Sequence, residues 1–219
     1  GTDNLGRDIF SRLVYGSRQS LKIGFLSVLM ASVIGITLGA IAGYYGGKVD
    51  NILMRFLDVF QSVPAMLMSI AIAATLGAGM NNAIVAIGIG TVPIYARMTR
   101  AQFLSIRGME YVEAAVAINA KDPRIIAKHI LPNALSPMIV QMTMGVAGAI
   151  LTAASLSFIG LGAQPPLSEW GAMLSAGRSY IRDYPHLVMF PGITIMITVL
   201  SLNMLGDGLR DALDPRLKN

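Results

Sequence analysis

The chain has 219 residues, of which 54% are hydrophobic and 13% are charged, and its formal net charge is +5. Soluble domains carry about 25% charged residues, so this composition excludes an ordinary water-soluble domain and a disordered chain. The chain has no Cys, which excludes a disulfide scaffold, thiol catalysis and a zinc–thiolate site.

Long stretches without a charged residue or a histidine divide the chain, and they cover residues 23–47, 59–96, 130–168 and 187–206. A helix needs about 20 apolar residues to cross a bilayer, and it satisfies its own backbone hydrogen bonds, as lipid requires. The second stretch is long enough for two spans. The sequence therefore predicts an all-α polytopic membrane protein with five transmembrane helices, near residues 21–45, 52–76, 82–105, 136–160 and 186–208.

The basic residues predict the side of the membrane that each loop occupies. Cytoplasmic loops are enriched in Lys and Arg, and the loop at residues 107–136 holds Arg107, Lys121, Arg124 and Lys128. This loop and the tail at residues 208–219 are predicted to be cytoplasmic, whereas residues 1–20 and the loop at 163–185 are predicted to be outside. Five spans place the termini on opposite sides and the chain begins without Met, so we expect a sixth span in the full-length protein.

The first predicted span carries a small residue at every fourth position, namely Ser27, Ala31, Gly35, Gly39, Gly43 and Gly47. Small residues let two helices approach closely in lipid, where helices have no hydrophobic drive to associate. Ala31, Gly35, Gly39 and Gly43 are therefore predicted to pack against another helix. A groove that slides during gating would use the same residues.

Polar side chains within predicted spans are costly in lipid, so they are expected to face protein or a water-filled path. The candidate path residues are Gln61, Ser62, Gln141, Ser155 and Asn203. For Gln61 and Gln141, an interhelical hydrogen bond is the alternative. Asp58 follows Arg55 by three residues, so these two are expected to form an ion pair within one helix.

The 107–136 loop is predicted to contain two short helices. In the first, Tyr111, Ala115 and Ile118 follow a helical spacing, which predicts an amphipathic helix whose apolar stripe must be covered by another surface. Asp122-Pro123 predicts the start of the second helix, and Leu131-Pro132 predicts its end. A simple connection needs far fewer residues, so the loop is predicted to be a docking surface.

A family resemblance begins in this loop. The segment Glu113-Ala114-Ala115, followed at fixed spacings by Asn119, His129 and Leu131-Pro132, resembles the EAA loop of ABC-importer permeases, which docks on a cytoplasmic ATPase. The family usually has Gly at position 119 and an aliphatic residue at position 129. The resemblance implies that the residues coupling this chain to the ATPase are Glu113, Ala114, Ala115, Asn119, Leu131 and Pro132. Glu113 is then expected to face basic residues of the ATPase.

Three further segments narrow the resemblance to the second permease subunit of dipeptide, oligopeptide and nickel importers. They are Gly1–Asp8 with Ser11-Arg12-Leu13, Ser157–Gly162 with Gln164-Pro165-Pro166 and Trp170-Gly171, and Gly208–Arg216. The resemblance implies a type I ABC-importer permease fold, with residues 1–219 forming a single transmembrane permease domain in a bacterial or archaeal cytoplasmic membrane. In the outer loop, Trp170 is expected to be an anchor at the membrane boundary or a contact for the external binding protein.

The resemblance implies that this chain forms half of the translocation path of an ATP-driven importer for dipeptides or oligopeptides. The implied partners are a homologous second permease, two cytoplasmic ATPase subunits, an external binding protein and the lipid bilayer, and no nucleic acid is expected. The alternatives are a nickel importer, an ion-coupled secondary transporter and a membrane scaffold without transport. A single Asp58 beside Arg55 argues against ion coupling, which predicts paired acidic or basic residues within the membrane.

The sequence contains no Gly-x-x-x-x-Gly-Lys-Ser/Thr loop for a nucleotide phosphate. It also shows no catalytic residues and no cluster of His, Asp or Glu with the spacing of metal ligands. We therefore expect a transport subunit and not an enzyme. ATP and Mg²⁺ are expected on the partner subunits, with no cofactor or metal on this chain.

Overall fold

The computed structural model describes residues 1–213. Its helices are α1 (Ile9–Tyr45), α2 (Gly47–Gln61), α3 (Ala65–Leu76), α4 (Met80–Arg107), α5 (Glu110–Ala117), α6 (Asp122–Ile125), α7 (Leu131–Phe158), α8 (Trp170–Gly177) and α9 (His186–Leu213). A π-helical turn at Ile126–Ile130 joins α6 to α7, and a 3₁₀ turn at Arg178–Tyr180 follows α8. The prediction of an all-α protein is confirmed over the described residues.

The five predicted spans correspond to α1, the α2–α3 pair, α4, α7 and α9. By length and composition, the described residues contain three helical runs that can cross a membrane, and a fourth if α2 and α3 form one bent span. The three runs are Ile9–Tyr45, Asp122–Phe158 and His186–Leu213. The 28 residues of α4 reach about 42 Å, which is long enough to cross. α4 packs among α1, α3 and α7.

The most extensive helix contact is between α1 and α4. A β-carbon built on Gly43 would lie 2.6 Å from the Cβ of Phe103, and one on Gly39 would lie 2.7 Å from the Cβ of Thr99. A β-carbon on Gly35 would also meet α4, at 2.6 Å. No side chain fits at these distances, so the backbones of the two helices touch over about two helical turns.

The row of small residues ends at Gly43. Ala31 is fully buried, but Gly47 is the first residue of α2, and a β-carbon built there would meet nothing within 4 Å. Gly46 and Gly47 both have positive φ, at 66° and 54°, which turns the chain out of α1 and into α2. The prediction that Gly47 continues the row is therefore wrong.

The second predicted span is broken into two helices. α2 and α3 meet at an angle of 81° across residues 62–64. Pro64 stands immediately before α3. The helix breaks there because proline has no backbone N–H to donate and disfavours helix at the residue before it. Residues 52–76 are therefore a bent pair of helices and not one continuous helix.

Acidic residues of α2 bind arginines of α4. Arg97 donates to the carboxylate of Asp58 at 2.5 Å, and Arg100 donates through two nitrogens to the carboxylate of Asp50. The expected ion pair between Arg55 and Asp58 is therefore wrong. α4 lies close enough to α2 to supply a partner from across the helix interface.

α1 reaches both of the long loops, one at each of its ends. Near its start, Nε1 of Trp170 donates to the carbonyl oxygen of Leu13 at 3.0 Å. Near its end, the hydroxyl of Tyr44 donates to Oδ1 of Asp122 at 2.8 Å. The 163–185 and 107–136 loops therefore lie at opposite ends of the bundle, as the predicted orientation requires.

Trp170 is a core residue, with only 2% of its surface exposed. Glu169 before it accepts hydrogen bonds from the backbone N–H groups of Gly171 and Ala172, which caps α8, and from the hydroxyl of Ser20 on α1. Both expectations for Trp170, a membrane anchor and a contact for the binding protein, require an exposed ring. Both are wrong, because the outer loop folds back onto α1 and buries the ring.

Candidate functional site

The first helix of the 107–136 loop, α5, has one buried face. Val112 and Ala115 are 1% and 6% exposed. They pack in an apolar cluster whose other buried members are Phe103, Ile106, Ile125, Ile130, Ala134 and Met138. These residues come from α4, α6, the π turn and α7, so the cluster fixes α5 against the ends of two membrane helices.

The exposed part of α5 includes large apolar residues. Tyr111, Val116 and Ile118 are 42%, 56% and 80% exposed. Of the predicted stripe, Ala115 is buried within the chain, so the three residues do not form one exposed face, whereas Tyr111 and Ile118 are left for a partner to cover. Ile118 lies beyond the last helical residue, Ala117, so the helical spacing does not extend to it. Exposed apolar residues on a rigidly held helix are typical of a surface that binds a partner.

Asn119 ends α5 in the left-handed conformation, with φ of 57°. The N–H of Asn119 donates to the carbonyl of Val116, and the N–H of Ala120 donates to the carbonyl of Ala115. This pair of bonds is a Schellman cap, whose left-handed position favours Gly and tolerates Asn. The geometry explains why Asn can stand where the EAA pattern has Gly.

The second helix of the loop does not end at Leu131-Pro132. Helix runs from Asp122 to Phe158, and the N–H of Leu131 donates to the carbonyl of Ile126 in the π turn. The ring of Pro132 would crowd the carbonyl four residues earlier in a regular α-helix, and the π turn lies directly before this point. The predicted end of the helix is therefore wrong, and α7 continues the loop into the membrane.

The loop presents charges of both signs near these apolar residues. Glu113 and Ala114 are exposed, and Glu113 lines a groove of about 480 Å³ together with Val116. A second groove, of about 620 Å³, includes Ile118 in its lining and three basic residues, Lys121, Arg124 and Lys128. A protein partner that covers both grooves must therefore offer basic and acidic groups as well as apolar surface.

Among the candidate path residues, Gln141 alone lines the groove of about 440 Å³ that lies between α4, α7 and α9. Gln61 and Ser62 are exposed at the break between α2 and α3. Ser155 is half-buried on α7 and donates to the carbonyl of Leu151 at 2.9 Å, and Asn203 is half-buried on α9. The structure does not bring these five residues together within one chain.

Other polar residues line the same groove as Gln141. They are Asn133, Ser136 and Arg210. Ser136 and Gln141 are five residues apart on α7, which sets them about 140° apart around the helix axis. The groove therefore takes polar residues from more than one face of α7, and helical spacing alone would not have grouped them.

The fold matches that of solved ABC-transporter permeases. The MetNI methionine ABC transporter, in an inward-facing conformation, superposes with a TM-score of 0.76 at 22% sequence identity, over 94% of this chain and 98% of that chain. At this identity the likeness shows the fold alone. The fold is therefore the one found in membrane-embedded permeases of ABC transporters.

Sequence similarity shows the family. The family model for the binding-protein-dependent transport system inner membrane component matches residues 35–219. This chain is 52% identical to a dipeptide transport system permease protein of Alkalihalophilus pseudofirmus, over 100% of this chain and 72% of that protein. It is 50% identical to a glutathione transport system permease protein of Pectobacterium atrosepticum, over 100% of this chain and 73% of that protein. The chain belongs to the family of inner membrane components of binding-protein-dependent transport systems.

The predicted family, fold and location are therefore confirmed: the chain is a multi-pass permease subunit of an ABC importer in the cytoplasmic membrane. This family leaves the secondary-transporter and scaffold alternatives without support. The end of the third resembling segment, Asp214-Pro215-Arg216, lies outside the described residues, as does part of the predicted tail at 208–219. The roles of the individual coupling and path residues stay predictions.

Proposed function

We propose that this chain transports dipeptides and other short peptides, as one of two homologous permeases in the importer. The names of its relatives support this substrate class, because those with about half of their residues identical to this chain are described as dipeptide and glutathione permeases. Glutathione is itself a short peptide, so the two names point to a common type of cargo. Nickel is the alternative cargo that the test below compares with peptides.

The observation that carries the coupling role is the two-sided structure of α5. Val112 and Ala115 attach the helix to the membrane bundle, whereas Tyr111, Val116 and Ile118 remain exposed on the end predicted to be cytoplasmic. This apolar surface would be costly to leave in water. We propose that an ATPase subunit covers it and that Glu113 binds basic residues of that subunit.

In this proposal the chain binds no nucleotide or metal, and ATP with Mg²⁺ is held by two partner ATPases. The absence of a phosphate-binding loop from the sequence supports this division. An external binding protein delivers the peptide, and the second permease supplies the other half of the path. The groove beside Gln141 is proposed to face that path, because its polar lining on α7 suits a peptide backbone in transit.

The proposal is tested by reconstituting the full-length complex in liposomes with its binding protein. Labelled alanyl-alanine, labelled glutathione and ⁶³Ni²⁺ are offered separately, with ATP or a non-hydrolysable analogue on the ATPase side. We expect uptake of the peptides, only with ATP and only with all subunits present. Uptake of ⁶³Ni²⁺ without peptide uptake would overturn the substrate class, and peptide flux through this chain alone, driven by an ion gradient, would overturn the mechanism.

A further inference from the structure

A hydrogen bond links the 107–136 loop to α1, a helix that is far from it in the sequence. The hydroxyl of Tyr44 donates to Oδ1 of Asp122 at 2.8 Å. The loop is otherwise joined to the membrane helices through its own chain connections to α4 and α7 and through the apolar cluster around Val112. Among the side-chain hydrogen bonds of the described residues, this is the one that ties the loop to α1.

The two partners stand at positions where one bond can orient the loop. Tyr44 is the second-last residue of α1, and its ring packs against the apolar cluster that holds α5. Asp122 is the first residue of α6, at the start of the helix that becomes α7. The bond therefore joins the end of one membrane helix to the start of the loop's second helix.

α1 is packed tightly against α4. The contacts of Gly35, Gly39 and Gly43 leave no space between the two helices, which form one closely packed pair, the α1–α4 body. A force on the loop reaches α4 through the short connection at residues 108–109 and reaches α7 through continuous helix. The bond between Tyr44 and Asp122 attaches the loop to the α1–α4 body at a second point, the start of α6.

We propose that Tyr44 and Asp122 are positioning residues for ATP-driven transport. Their hydrogen bond holds the 107–136 loop in the orientation in which movement of the ATPase is transmitted to the α1–α4 body. This inference rests on the proposed function, because it requires an ATPase docked on the loop. It assigns neither residue a contact with the peptide or with ATP.

The test uses the full-length complex in liposomes and the ratio of ATPase activity with and without the loaded binding protein. Tyr44→Phe removes only the hydroxyl, and Asp122→Ala removes the acceptor. We expect each to lower the ratio about fivefold, which is the effect of losing one hydrogen bond worth about 1 kcal/mol. The activity without binding protein should stay unchanged. The double variant should be no worse than either single variant, because both remove the same bond.

Two controls separate positioning from general damage. Asp122→Asn keeps an oxygen that accepts the Tyr44 hydroxyl, so it should retain most of the ratio. Tyr45→Phe makes the same chemical change one residue later, at an exposed tyrosine for which no side-chain hydrogen bond is found in the described residues. It should leave the ratio unchanged.

A distance measurement gives a readout that does not depend on activity. Residues 1–219 contain no Cys, so spin labels at Lys48→Cys and Arg124→Cys, two exposed positions on either side of the bond, have no competing site within this sequence. We expect a narrow distance distribution that broadens in Tyr44→Phe and stays narrow in Tyr45→Phe.

An unchanged ratio in Tyr44→Phe would overturn the inference. So would an equal loss of ATPase activity with and without binding protein, or a distance distribution that stays narrow in Tyr44→Phe. Failure of the proposed function looks different. In that case the unmodified complex itself shows neither peptide uptake nor stimulation by the binding protein.

Discussion

Arg100 on α4 donates a hydrogen bond to each of the two carboxylate oxygens of Asp50 on α2. The Asp50 side chain is only 12% exposed, whereas the neighbouring pair of Arg97 and Asp58 is 45% and 59% exposed. These two ion pairs hold α2 against α4 along its length, as far as the break before α3.

The first prediction compares these two pairs. Asp50→Ala leaves Arg100 partly buried without its carboxylate, which should cost about 2 kcal/mol or more of stability. Asp58→Ala removes an exposed pair and should cost at most about 1 kcal/mol. The measurement is the midpoint of heat-induced aggregation of the complex in detergent. Equal shifts for the two variants would show that burial of the Asp50 pair does not matter.

The second prediction concerns the contact between α1 and α4. Gly39→Ala places a β-carbon against the backbone of α4, which should destabilise the protein by about 2 kcal/mol or more through overpacking. Gly148→Ala on α7 adds the same atom where nothing lies within 4 Å, so it should be neutral or stabilising by up to about 1 kcal/mol. The same heating assay reports both, and a Gly39→Ala protein as stable as the parent would contradict the contact.

The third prediction tests Glu113 in the docking surface. Glu113→Lys should lower ATP-driven peptide uptake by about tenfold or more, because it sets like charges against a basic ATPase surface. Glu110→Lys reverses a charge at an exposed position in the first turn of the same helix and should have a much smaller effect. Uptake is measured at matched levels of inserted protein. Equal uptake by the two variants would leave Glu113 as a solvated charge.

The fourth prediction fixes the orientation in the membrane. In intact cells, Lys121→Cys should be protected from a membrane-impermeant maleimide and Asp183→Cys should react. Both positions are exposed in the structure. Labelling at position 121 without labelling at 183 would invert the predicted orientation.

The fifth prediction concerns pH and the segment before α1. Burial raises the pKa of Asp3, but hydrogen bonds from the backbone N–H groups of Arg7 and Leu5 and from the guanidinium groups of Arg7 and Arg12 lower it to about 2. A carboxyl whose pKa is lowered by folding stabilises the folded state at pH values above its ordinary pKa of 3.8. This stabilisation is lost as the pH falls towards 2.

Asp3→Asn should therefore be less stable than the parent at pH 6, and the difference should shrink between pH 4 and pH 2. The midpoint of thermal unfolding of the two proteins, measured at each pH, gives this difference. A difference that stays constant down to pH 2 would mean that Asp3 stabilises the segment without its charge.

The sequence was sufficient for the parts of the fold that depend on local pattern. Charge-free stretches located the membrane helices, and the spacing of Gly35, Gly39 and Gly43 indicated a close helix contact. It was insufficient where a distant segment supplies a partner. Asp58 pairs with Arg97 of α4 and not with Arg55, and α1 covers Trp170. These outcomes depend on which helices become neighbours, and local spacing does not contain that information.

The candidate site shows the same limit on a smaller scale. The left-handed turn at Asn119 was predictable from residue type, because few residues adopt it. The choice between Tyr111 and Val112 for the buried face was not predictable, since both are apolar neighbours on a helix of eight residues. The apolar cluster beneath α5 decides it, and that cluster is assembled from four separate parts of the chain.

The burial of Trp170 has a spectroscopic consequence. The chain contains a single Trp, and its indole N–H is bonded to the carbonyl of Leu13 within the core. All indole fluorescence of residues 1–219 therefore originates at the contact between the outer loop and α1. Its emission wavelength and its quenching by iodide report whether that contact opens when the transporter works, without any label being attached.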